Sequence, residues 1–581
     1  MTATTDQLRP PLAPRRPQPL ERHSDWRVDH YFWLREREDP DVLAYIKAEN
    51  DYTQAAMASC NDLQDQLYAE MRARIQETDL SVPVRRDAYF YYSRTEDDRQ
   101  YPIFCRKLGT LDAPEEILLD QNELAEGHGF TELGVFVVSP DHRLLAYSVD
   151  HAGDEHYTLV IKDLSTGAHL PDVIPNTYYS VEWANDSRTL FYNTLDDAAR
   201  PFKAFRHHLG EDPAADQMIF HEPEAKYYLS LRKSKSGRYI FIQLFSSMTR
   251  EEWFIPADLP TEPPRVVQPR RHGHEYHTTH HGEHFYITTN DQALDFRVVR
   301  APLATPESAH WEEVIPHVPG VKLDRVEAFQ DHLVLHLREQ GLRALHVLHV
   351  TDDAPAQWPR HAVDFPDAVY TVWGGENPTF ATTTLRLSYS SLVTPHTVYD
   401  YDMTARQLEL KKRQPVLGGY DPADYVTERL WATAEDGTQV PMSLVYRRGL
   451  ARDGSNPTWL YGYGSYGASS DPVFNSNRLS LLERGFVFAI AHVRGGGEMG
   501  RSWYNQGKLL QKRNTFTDFI ACARHLVSQG YTAHDRIVAQ GGSAGGMLMG
   551  AVANLAPQAF GGIVAEVPFV DVLNTMLDDT L

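Results

Sequence analysis

The chain has 581 residues, of which 42% are hydrophobic and 23% are charged, as in ordinary globular proteins, and this length predicts several domains rather than one core. With 56 Lys and Arg against 79 Asp and Glu, the formal net charge is −23, which argues against nucleic acid and anionic membranes as partners because both require clustered positive charge. Three widely separated cysteines, Cys60, Cys105 and Cys522, indicate neither a disulfide scaffold nor a zinc site.

The N-terminal domain, residues 1–80, divides into a tail and a helical segment. Residues 1–24 are rich in proline and arginine, lack the apolar core of a secretory signal, and are predicted to be disordered or loosely draped. From Asp25 to about Leu80, apolar residues recur at three- and four-residue spacing, which predicts helices that pack on the C-terminal domain. No run approaches 18 apolar residues, so no membrane span is expected and the cytoplasm is the default compartment.

Residues 81–417 show short runs of apolar, aromatic and β-branched residues that are separated by turn dipeptides. Seven of these turns are spaced by 54, 45, 50, 46, 49 and 46 residues, at Asp87, Asp141, Asp186, Ser236, Gly282, Asp331 and Asn377. A period in the forties with several strands per repeat is typical of a β-propeller with one four-stranded blade per repeat. The spacing therefore predicts an all-β seven-bladed β-propeller; an irregular pair of β-sandwiches is the alternative, although sandwiches do not keep such a period.

Residues 418–581 have the pattern of an α/β domain. A hairpin (LWATAEDG, then TQVPMSLVYRR) is followed by apolar segments that predict buried parallel strands: TWLYGYG, GFVFAIAHV, RIVAQGG and GGIVAEVPF. The segment TFTDFIACARHLVSQG predicts an amphipathic helix whose apolar face carries Phe516, Phe519, Ile520, Ala523 and Leu526 and which ends at Gly530.

A short motif between the third of these strands and the next helix indicates nucleophilic catalysis. Residues 541–545, GGSAG, match the G-x-S-x-G pattern of a nucleophile elbow. The strand must turn sharply into the helix, so Ser543 is expected in a strained conformation, and only glycine at the flanking positions allows the close backbone approach. The turn raises the Ser543 hydroxyl above the sheet edge and aims the Ala544 amide at the oxyanion of a tetrahedral intermediate.

Two other segments are weighed against simpler interpretations. Residues 495–500, GGGEMG, formally match a dinucleotide-binding fingerprint, but the required acidic residue, Asp518, lies inside the amphipathic helix, so a structural glycine loop is favoured. Residues 272–284 contain six histidines, yet they lack the H-E-x-x-H spacing and a nearby cysteine. We interpret this stretch as a solvated hairpin and predict no metal site.

Several motifs together carry a resemblance to a known family. They are DHYFWLRERED at 29–39, YGYGSYGAS at 461–469, RLSLLERGFVFAIAHVRGGGEMG at 478–500, GGSAGGMLMG at 541–550 and VPFVDVLNTMLDD at 567–579. A propeller followed by an α/β-hydrolase domain with these motifs resembles the prolyl oligopeptidase family of serine peptidases, and within it the oligopeptidase B branch. The post-proline branch has YGYGGF and GGSNGG instead, so Ser465, Tyr466 and Ala544 favour the branch that cleaves after basic residues.

The resemblance implies roles for individual residues. Cleavage of short basic peptides after Arg or Lys is expected, without a cofactor, by a monomer or small homo-oligomer. By position, Ser543 is the nucleophile, and the Tyr463 hydroxyl and the Ala544 amide are the oxyanion donors. Asp471 matches an acidic position that receives a basic substrate residue, whereas the second such position is Val473 here, which weakens the expected dibasic preference.

The pattern departs from the family in one respect. The catalytic triad of this fold runs Ser, Asp, His along the chain, but no histidine follows Ser543, and His534 is the last in the sequence. Loss of the base costs on the order of 10⁶ in kcat. We therefore expect the triad Asp and His in a C-terminal part that this sequence lacks, and the 581-residue chain to be inactive on its own. The alternative is a non-catalytic propeller protein that binds peptides, or an inactive remnant. Efficient labelling of Ser543 by a serine-directed probe would count against an inactive remnant.

Overall fold

The computed structural model describes residues 8–578, and its N-terminal part contains more regular structure than expected. Strands β1 (Gln18–Arg22) and β2 (Asp25–Asp29) form an antiparallel hairpin, followed by helices α1 (Pro40–Met57) and α2 (Asn61–Ala73). The prediction of a disordered or loosely draped tail is thus wrong for residues 18–22, and the prediction of helix is wrong for residues 25–29, because the two segments pair as a hairpin. Residues 1–7 lie outside the described part of the chain.

The propeller contains seven units in six sheets; the first unit has five strands and the other six have four each. In the first unit, strands β3 and β4 both pair with β5; the second and third units form one seven-stranded sheet that shares the long strand β11, whose pairing shifts register between Thr177 and Val181. The strands are β3 (Asp79–Leu80), β4 (Val84–Arg86), β5 (Tyr89–Thr95), β6 (Ile103–Leu108), β7 (Glu116–Asp120), β8 (Glu132–Val138), β9 (Leu144–Asp150), β10 (Tyr157–Asp163), β11 (His169–Trp183), β12 (Thr189–Leu195), β13 (Pro201–His208), β14 (Gln217–His221), β15 (Tyr228–Lys233), β16 (Tyr239–Phe245), β17 (Arg250–Pro256), β18 (Arg265–Gln268), β19 (Tyr276–His281), β20 (His284–Thr289), β21 (Arg297–Pro302), β22 (Glu312–Ile315), β23 (Val321–Ala328), β24 (His332–Glu339), β25 (Leu342–His349), β26 (Arg360–Ala362), β27 (Tyr370–Gly374), β28 (Thr384–Ser391), β29 (Thr397–Asp402) and β30 (Gln407–Arg413). Helix α3 (Gln121–Leu124) lies between the first two units.

Each of the seven turns singled out in the sequence joins the first strand of a unit to its second strand, as between β4 and β5 or β23 and β24. Backbone conformation explains the residue types: Asp87, Gly237 and Gly282 have φ values of 53°, 72° and 58°, in the region that favours glycine and short polar residues. The sequence prediction of seven blades is confirmed.

The first and last blades close the ring through side chains, since no described strand is shared between them. The Lys412 ammonium on β30 lies 2.6 Å from the Asp79 carboxylate on β3. Arg386 on β28 donates to the Pro83 carbonyl at 2.7 Å. This seam differs from the junction of the second and third blades, which is formed by one continuous strand.

The C-terminal domain is a six-stranded sheet with the order β31-β32-β34-β33-β35-β36. Its strands are β31 (Tyr425–Thr433), β32 (Gln439–Arg447), β33 (Thr458–Gly462), β34 (Val487–Ala491), β35 (Ile537–Gly542) and β36 (Gly562–Glu566). The last four are mutually parallel, as predicted, and the first two form the predicted hairpin. The helices are α4 (Leu479–Leu482), α5 (Arg501–Asn505), α6 (Arg513–Ser528), α7 (Ala544–Leu555) and α8 (Val572–Met576).

The amphipathic helix α6 packs as its sequence predicts. Phe519, Ile520, Ala523 and Leu526 are buried in the core that also contains the strand residue Leu460, whereas Phe516 is only partly buried. Gly530 follows the helix with φ 76°. Among residues 8–578, no helix combines the length and the apolar character that a membrane crossing requires.

The N-terminal segment contacts the C-terminal domain across a large sequence separation. Glu70 on α2 accepts hydrogen bonds from Arg484 at 2.8 and 2.9 Å and from Ser480 at 2.9 Å. Arg74 donates to the Ser480 hydroxyl at 2.7 Å. Chain segments that precede and follow the propeller in the sequence therefore pack together at the α/β domain.

Candidate active site

The nucleophile elbow has the predicted geometry. Ser543 lies between β35 and α7 with φ 55° and ψ −116°, and it is exposed. A non-glycine residue in this region costs about 1–3 kcal/mol, so the surrounding structure must hold it there. The Ser543 amide donates to the Glu566 carbonyl at 2.9 Å, and its carbonyl accepts from the Phe569 amide at 3.0 Å.

Glycines around Ser543 are required by close backbone contacts. A Cβ on Gly541 would lie 2.4 Å from the Gly545 carbonyl oxygen, and one on Gly545 would lie 2.8 Å from the Gly462 carbonyl oxygen. A Cβ on Gly546 would lie 2.5 Å from Cα of Pro568. The crowding expected from the motif is therefore present on both sides of Ser543.

Tyr463 and Ala544 lie at the same edge of the sheet as Ser543. Tyr463 directly follows β33, and the Cβ position of Gly545 is 3.4 Å from its Cα and Cδ2 atoms. Burial raises the pKa of the Tyr463 hydroxyl, so the group stays protonated at neutral pH and can donate a hydrogen bond. Ala544 is the first residue of α7, where a backbone amide has no acceptor within the helix.

The glycine loop at residues 494–500 supports the loop that follows Tyr463. A Cβ on Gly495 would lie 2.1 Å from the Gly464 carbonyl oxygen, and one on Gly497 would lie 2.2 Å from the Gly467 carbonyl oxygen. Asp518 is fully buried and accepts hydrogen bonds from the amide and guanidinium of Arg494 at 2.6–3.0 Å. Loop packing thus accounts for these glycines, and the Asp518 carboxylate is engaged within the protein.

Lys512 holds the Tyr463 loop from the start of α6. Its ammonium donates to the Gly464 carbonyl at 2.6 Å and to the Ser465 hydroxyl at 2.7 Å. Burial lowers the pKa of Lys512 to about 8. Nothing in the local sequence distinguishes Lys512 from a surface lysine, and sequence reasoning missed it.

Asp471 is bound by two arginines of the propeller. Its two carboxylate oxygens accept from Arg338 at 2.8 and 3.1 Å, and one of them also accepts from Arg343 at 2.8 Å. These hydrogen bonds hold the pKa of Asp471 below its usual value against the opposing effect of burial. The role of Asp471 as an acceptor for a basic substrate residue stays a prediction, and its two arginine partners were not foreseen.

Two histidines of the α/β domain form hydrogen bonds with groups other than Ser543. His492 is buried and its Nε2 lies 2.8 Å from the Ser443 hydroxyl, while Nδ1 of His534 lies 3.4 Å from the Ala559 carbonyl oxygen. Within residues 8–578, no histidine contacts the Ser543 hydroxyl through a hydrogen bond.

The histidine-rich stretch forms the hairpin of β19 and β20, but the interpretation as solvated is wrong for part of it. His274 and His280 are buried and lie 2.9 and 2.7 Å from the hydroxyls of Thr289 and Ser236. One ring nitrogen of each histidine has a hydrogen-bond partner there, whereas Nε2 of His280 is buried without one among the described residues. The described residues contain no cluster of three or more His, Cys, Asp or Glu that could hold a metal ion.

Comparison with known proteins identifies the family. The model of the prolyl oligopeptidase N-terminal beta-propeller domain matches residues 10–414, and the model of the prolyl oligopeptidase family matches residues 472–581. The chain belongs to the prolyl oligopeptidase family. Within this family it is a serine peptidase that resembles oligopeptidase B.

Three relatives show how far the similarity extends. The chain is 40% identical over 578 residues to "Protease 2" of Moraxella lacunata, with 98% of this chain and 82% of that protein covered. It is also 40% identical over 596 residues to "Dipeptidyl aminopeptidase BI" of Pseudoxanthomonas mexicana, covering 98% and 81%. The closed form of oligopeptidase B from Trypanosoma brucei with covalently bound antipain superimposes with a TM-score of 0.91 at 36% identity, covering 98% of this chain and 84% of that one.

Proposed function

We propose that this serine peptidase hydrolyses short peptides after Arg or Lys through an acyl-enzyme on Ser543. The observation that carries the proposal is the elbow, which holds an exposed serine at φ 55° beside Tyr463 and the first amide of α7. Support for basic substrates comes from Ser465, Tyr466 and Ala544 and from the similarity to oligopeptidase B, whose Trypanosoma brucei form was solved with covalently bound antipain.

In the proposed reaction, Ser543 Oγ attacks the scissile carbonyl carbon and the carbonyl oxygen becomes an oxyanion. The Ala544 amide and the protonated Tyr463 hydroxyl donate hydrogen bonds to that oxyanion. Each such donor contributes about 2.7–4 kcal/mol to transition-state stabilisation in enzymes of this type. The intermediate then collapses: the C–N bond breaks, and the amine fragment leaves with the proton that the general base took from the Ser543 hydroxyl. Water hydrolyses the acyl-enzyme, which releases the acid fragment and restores Ser543, so the proposed reaction needs neither a cofactor nor a metal.

We further propose that the general base and its acid are residues outside the 581-residue sequence. The triad order of the fold places both after the nucleophile, and no histidine occurs between Ala544 and Leu581. We accordingly propose that the 581-residue chain does not turn over substrate by itself. Also proposed are Asp471 as an acceptor for a basic residue next to the cleaved one, a cytoplasmic location, and a monomer or small homo-oligomer.

The test begins with the intact mass of the protein isolated from its source. We expect a species heavier than 66.1 kDa that carries peptides beyond Leu581. It should cleave peptides after Arg or Lys, but not peptides that have Pro or Glu in place of that Arg or Lys. Ser543→Ala should abolish cleavage, whereas Ser528→Ala, at an exposed serine of α6, should leave it unchanged. A native protein of 66.1 kDa that binds peptides without cleaving them would refute the proposal and favour the non-catalytic alternative.

A further inference from the structure

Lys512 lies at a position that is unfavourable for a cation. It directly precedes the first turn of α6, and the N-terminal end of a helix carries partial positive charge. Burial lowers the pKa of Lys512 to about 8, and no carboxylate among residues 8–578 contributes to this shift. Removal of an ammonium from water without a counter-ion costs folding free energy. The stability of the fold alone therefore does not explain this lysine.

A buried cation in the same region is compensated, in contrast to Lys512. The Arg494 guanidinium donates to Asp518 at 2.6 and 2.8 Å and to Asp436 at 2.6 Å. Burial opposes the charge, yet these hydrogen bonds raise the pKa of Arg494. Lys512 has only uncharged acceptors in the described part of the chain, so a different role is expected for it.

Both acceptors of Lys512 belong to the loop that carries an oxyanion donor. The ammonium donates at 2.6 Å to the carbonyl of Gly464, the residue after Tyr463, and at 2.7 Å to the Ser465 hydroxyl. Hydrogen bonds from a charged donor are about twice as strong as those from a neutral one. The Thr515 hydroxyl also reaches the Gly464 carbonyl, but at 3.5 Å. Lys512 is therefore the stronger of these two side-chain contacts with the peptide that follows Tyr463.

The loop that Lys512 binds has a strained backbone. Gly464 and Tyr466, on either side of Ser465, have φ values of 71° and 59°. A non-glycine residue at positive φ costs free energy and persists only where surrounding contacts hold it. Tyr466 is 72% exposed, so its own side chain packs little against the protein. The contacts of Lys512 with Gly464 and Ser465 provide part of the required support.

We propose that Lys512 is a positioning residue for Tyr463, whose charged hydrogen bonds hold the strained loop where the Tyr463 hydroxyl meets the oxyanion. This inference rests on the proposed function, since it concerns the same step. There, Ser543 Oγ bonds to the carbonyl carbon, the π electron pair moves to the carbonyl oxygen, and the serine proton passes to the general base. The Tyr463 hydroxyl donates a hydrogen bond to that oxygen and keeps its proton.

The experiment compares kcat and KM for an Arg peptide in variants of the longer, active protein that the proposed function requires. Lys512→Met should lower kcat about tenfold or more with little change in KM, because the oxyanion exists only in the transition state and the intermediate. The loss should stay below the roughly 10²–10³-fold effect of removing an oxyanion donor itself. Lys512→Arg, which keeps the charge and the donors, should restore part of kcat.

The decisive measurement combines Lys512→Met with Tyr463→Phe. If Lys512 acts through the Tyr463 hydroxyl, its replacement should have no further effect on kcat once that hydroxyl is absent. A merely structural role would lower kcat by the same factor in both backgrounds. Arg513→Met is the matched control: it removes an exposed cation beside Lys512 at the start of the same helix and should leave kcat unchanged.

Equal factors in the two backgrounds would overturn the proposal, as would an unchanged kcat in Lys512→Met or an equal loss in Arg513→Met. If Lys512→Met fails to fold, as judged by near-ultraviolet circular dichroism, Ser465→Ala decides instead. It removes one acceptor of Lys512 and should lower kcat in the parent but not in the Tyr463→Phe background; any other result would overturn the proposal. These outcomes leave the proposed reaction intact, whereas a parent that cleaves no Arg or Lys peptide would refute both.

Discussion

Replacement of Gly495 by alanine tests whether the glycine loop supports the loop that follows Tyr463. Gly495 has φ 97°, and a Cβ there would lie 2.1 Å from the Gly464 carbonyl oxygen and 2.9 Å from the Gly507 carbonyl oxygen. Both neighbours are backbone atoms, which cannot rotate away as a flexible side chain would. The two loops must therefore move apart by about 1 Å to restore a normal contact.

The cost has two parts that a matched variant separates. Alanine at positive φ costs about 1–2 kcal/mol, and forced displacement of packed groups adds about 1–3 kcal/mol. Gly485→Ala, at φ 80° in the same domain with no atom within 4 Å of the new Cβ, should show only the first part. Urea unfolding of the α/β domain, followed by far-ultraviolet circular dichroism, gives the free energy of unfolding of each variant.

The informative quantity is the difference in the free energy of unfolding between the two variants. We expect Gly495→Ala to be less stable than Gly485→Ala by about 1–3 kcal/mol. Equal losses of stability in the two variants would show that the contact with Gly464 does not restrict the loop, and the explanation of the glycine motif would be wrong.

Three further predictions concern the site. In the active full-length protein, Tyr463→Phe should lower kcat by about 10²–10³ with little change in KM, because the hydroxyl is needed only in the transition state; steady-state kinetics check this, and an unchanged kcat would exclude Tyr463 as an oxyanion donor. On the 581-residue chain, a fluorophosphonate probe should label Ser543 far more slowly than on the longer active protein, as followed by intact mass, and equal rates would contradict the absence of a base. For Lys512, the folded-state pKa of about 8 lies below the value of about 10.4 in the unfolded chain, so the unfolded state binds more protons between these values and stability should rise with pH through this window. Lys512→Met should flatten that rise in urea unfolding measured from pH 7.5 to 10, whereas a slope equal to that of the parent would refute the assignment.

The blade arrangement was predictable because each repeat contains a recognisable turn sequence followed by an apolar strand. The seven turns combine Asp, Asn, Ser or Gly with the following apolar run, and several of them require positive φ. The N-terminal hairpin was missed because its turn is formed by His23 and Ser24, with φ values of 51° and 64°, and His-Ser is not one of the dipeptides, such as Asn-Gly or Asp-Gly, that predict a two-residue hairpin turn. Pairing with Asp25–Asp29 within the hairpin overrides the local proline content.

The candidate site likewise has residues that the sequence predicts and residues that it does not. Ser543, Ala544 and Tyr463 could be proposed from the sequence because each belongs to a motif of a few residues whose spacing reflects local crowding. Arg338 and Arg343 lie 133 and 128 residues before the aspartate they bind, and no local pattern marks them. Such contacts depend on how two domains pack against each other, and the local pattern of a single sequence does not reveal this packing.

The contact of α2 with the α/β domain has a consequence for synthesis of the protein on the ribosome. Glu70 is hydrogen-bonded to Ser480 across 410 residues, so the propeller is in effect an insertion into the domain that carries Ser543. At about 5–20 residues per second, α2 leaves the ribosome roughly 20–80 s before its partner exists. The propeller can fold as a unit during that interval, so the elbow around Ser543 forms only after the propeller has been synthesised.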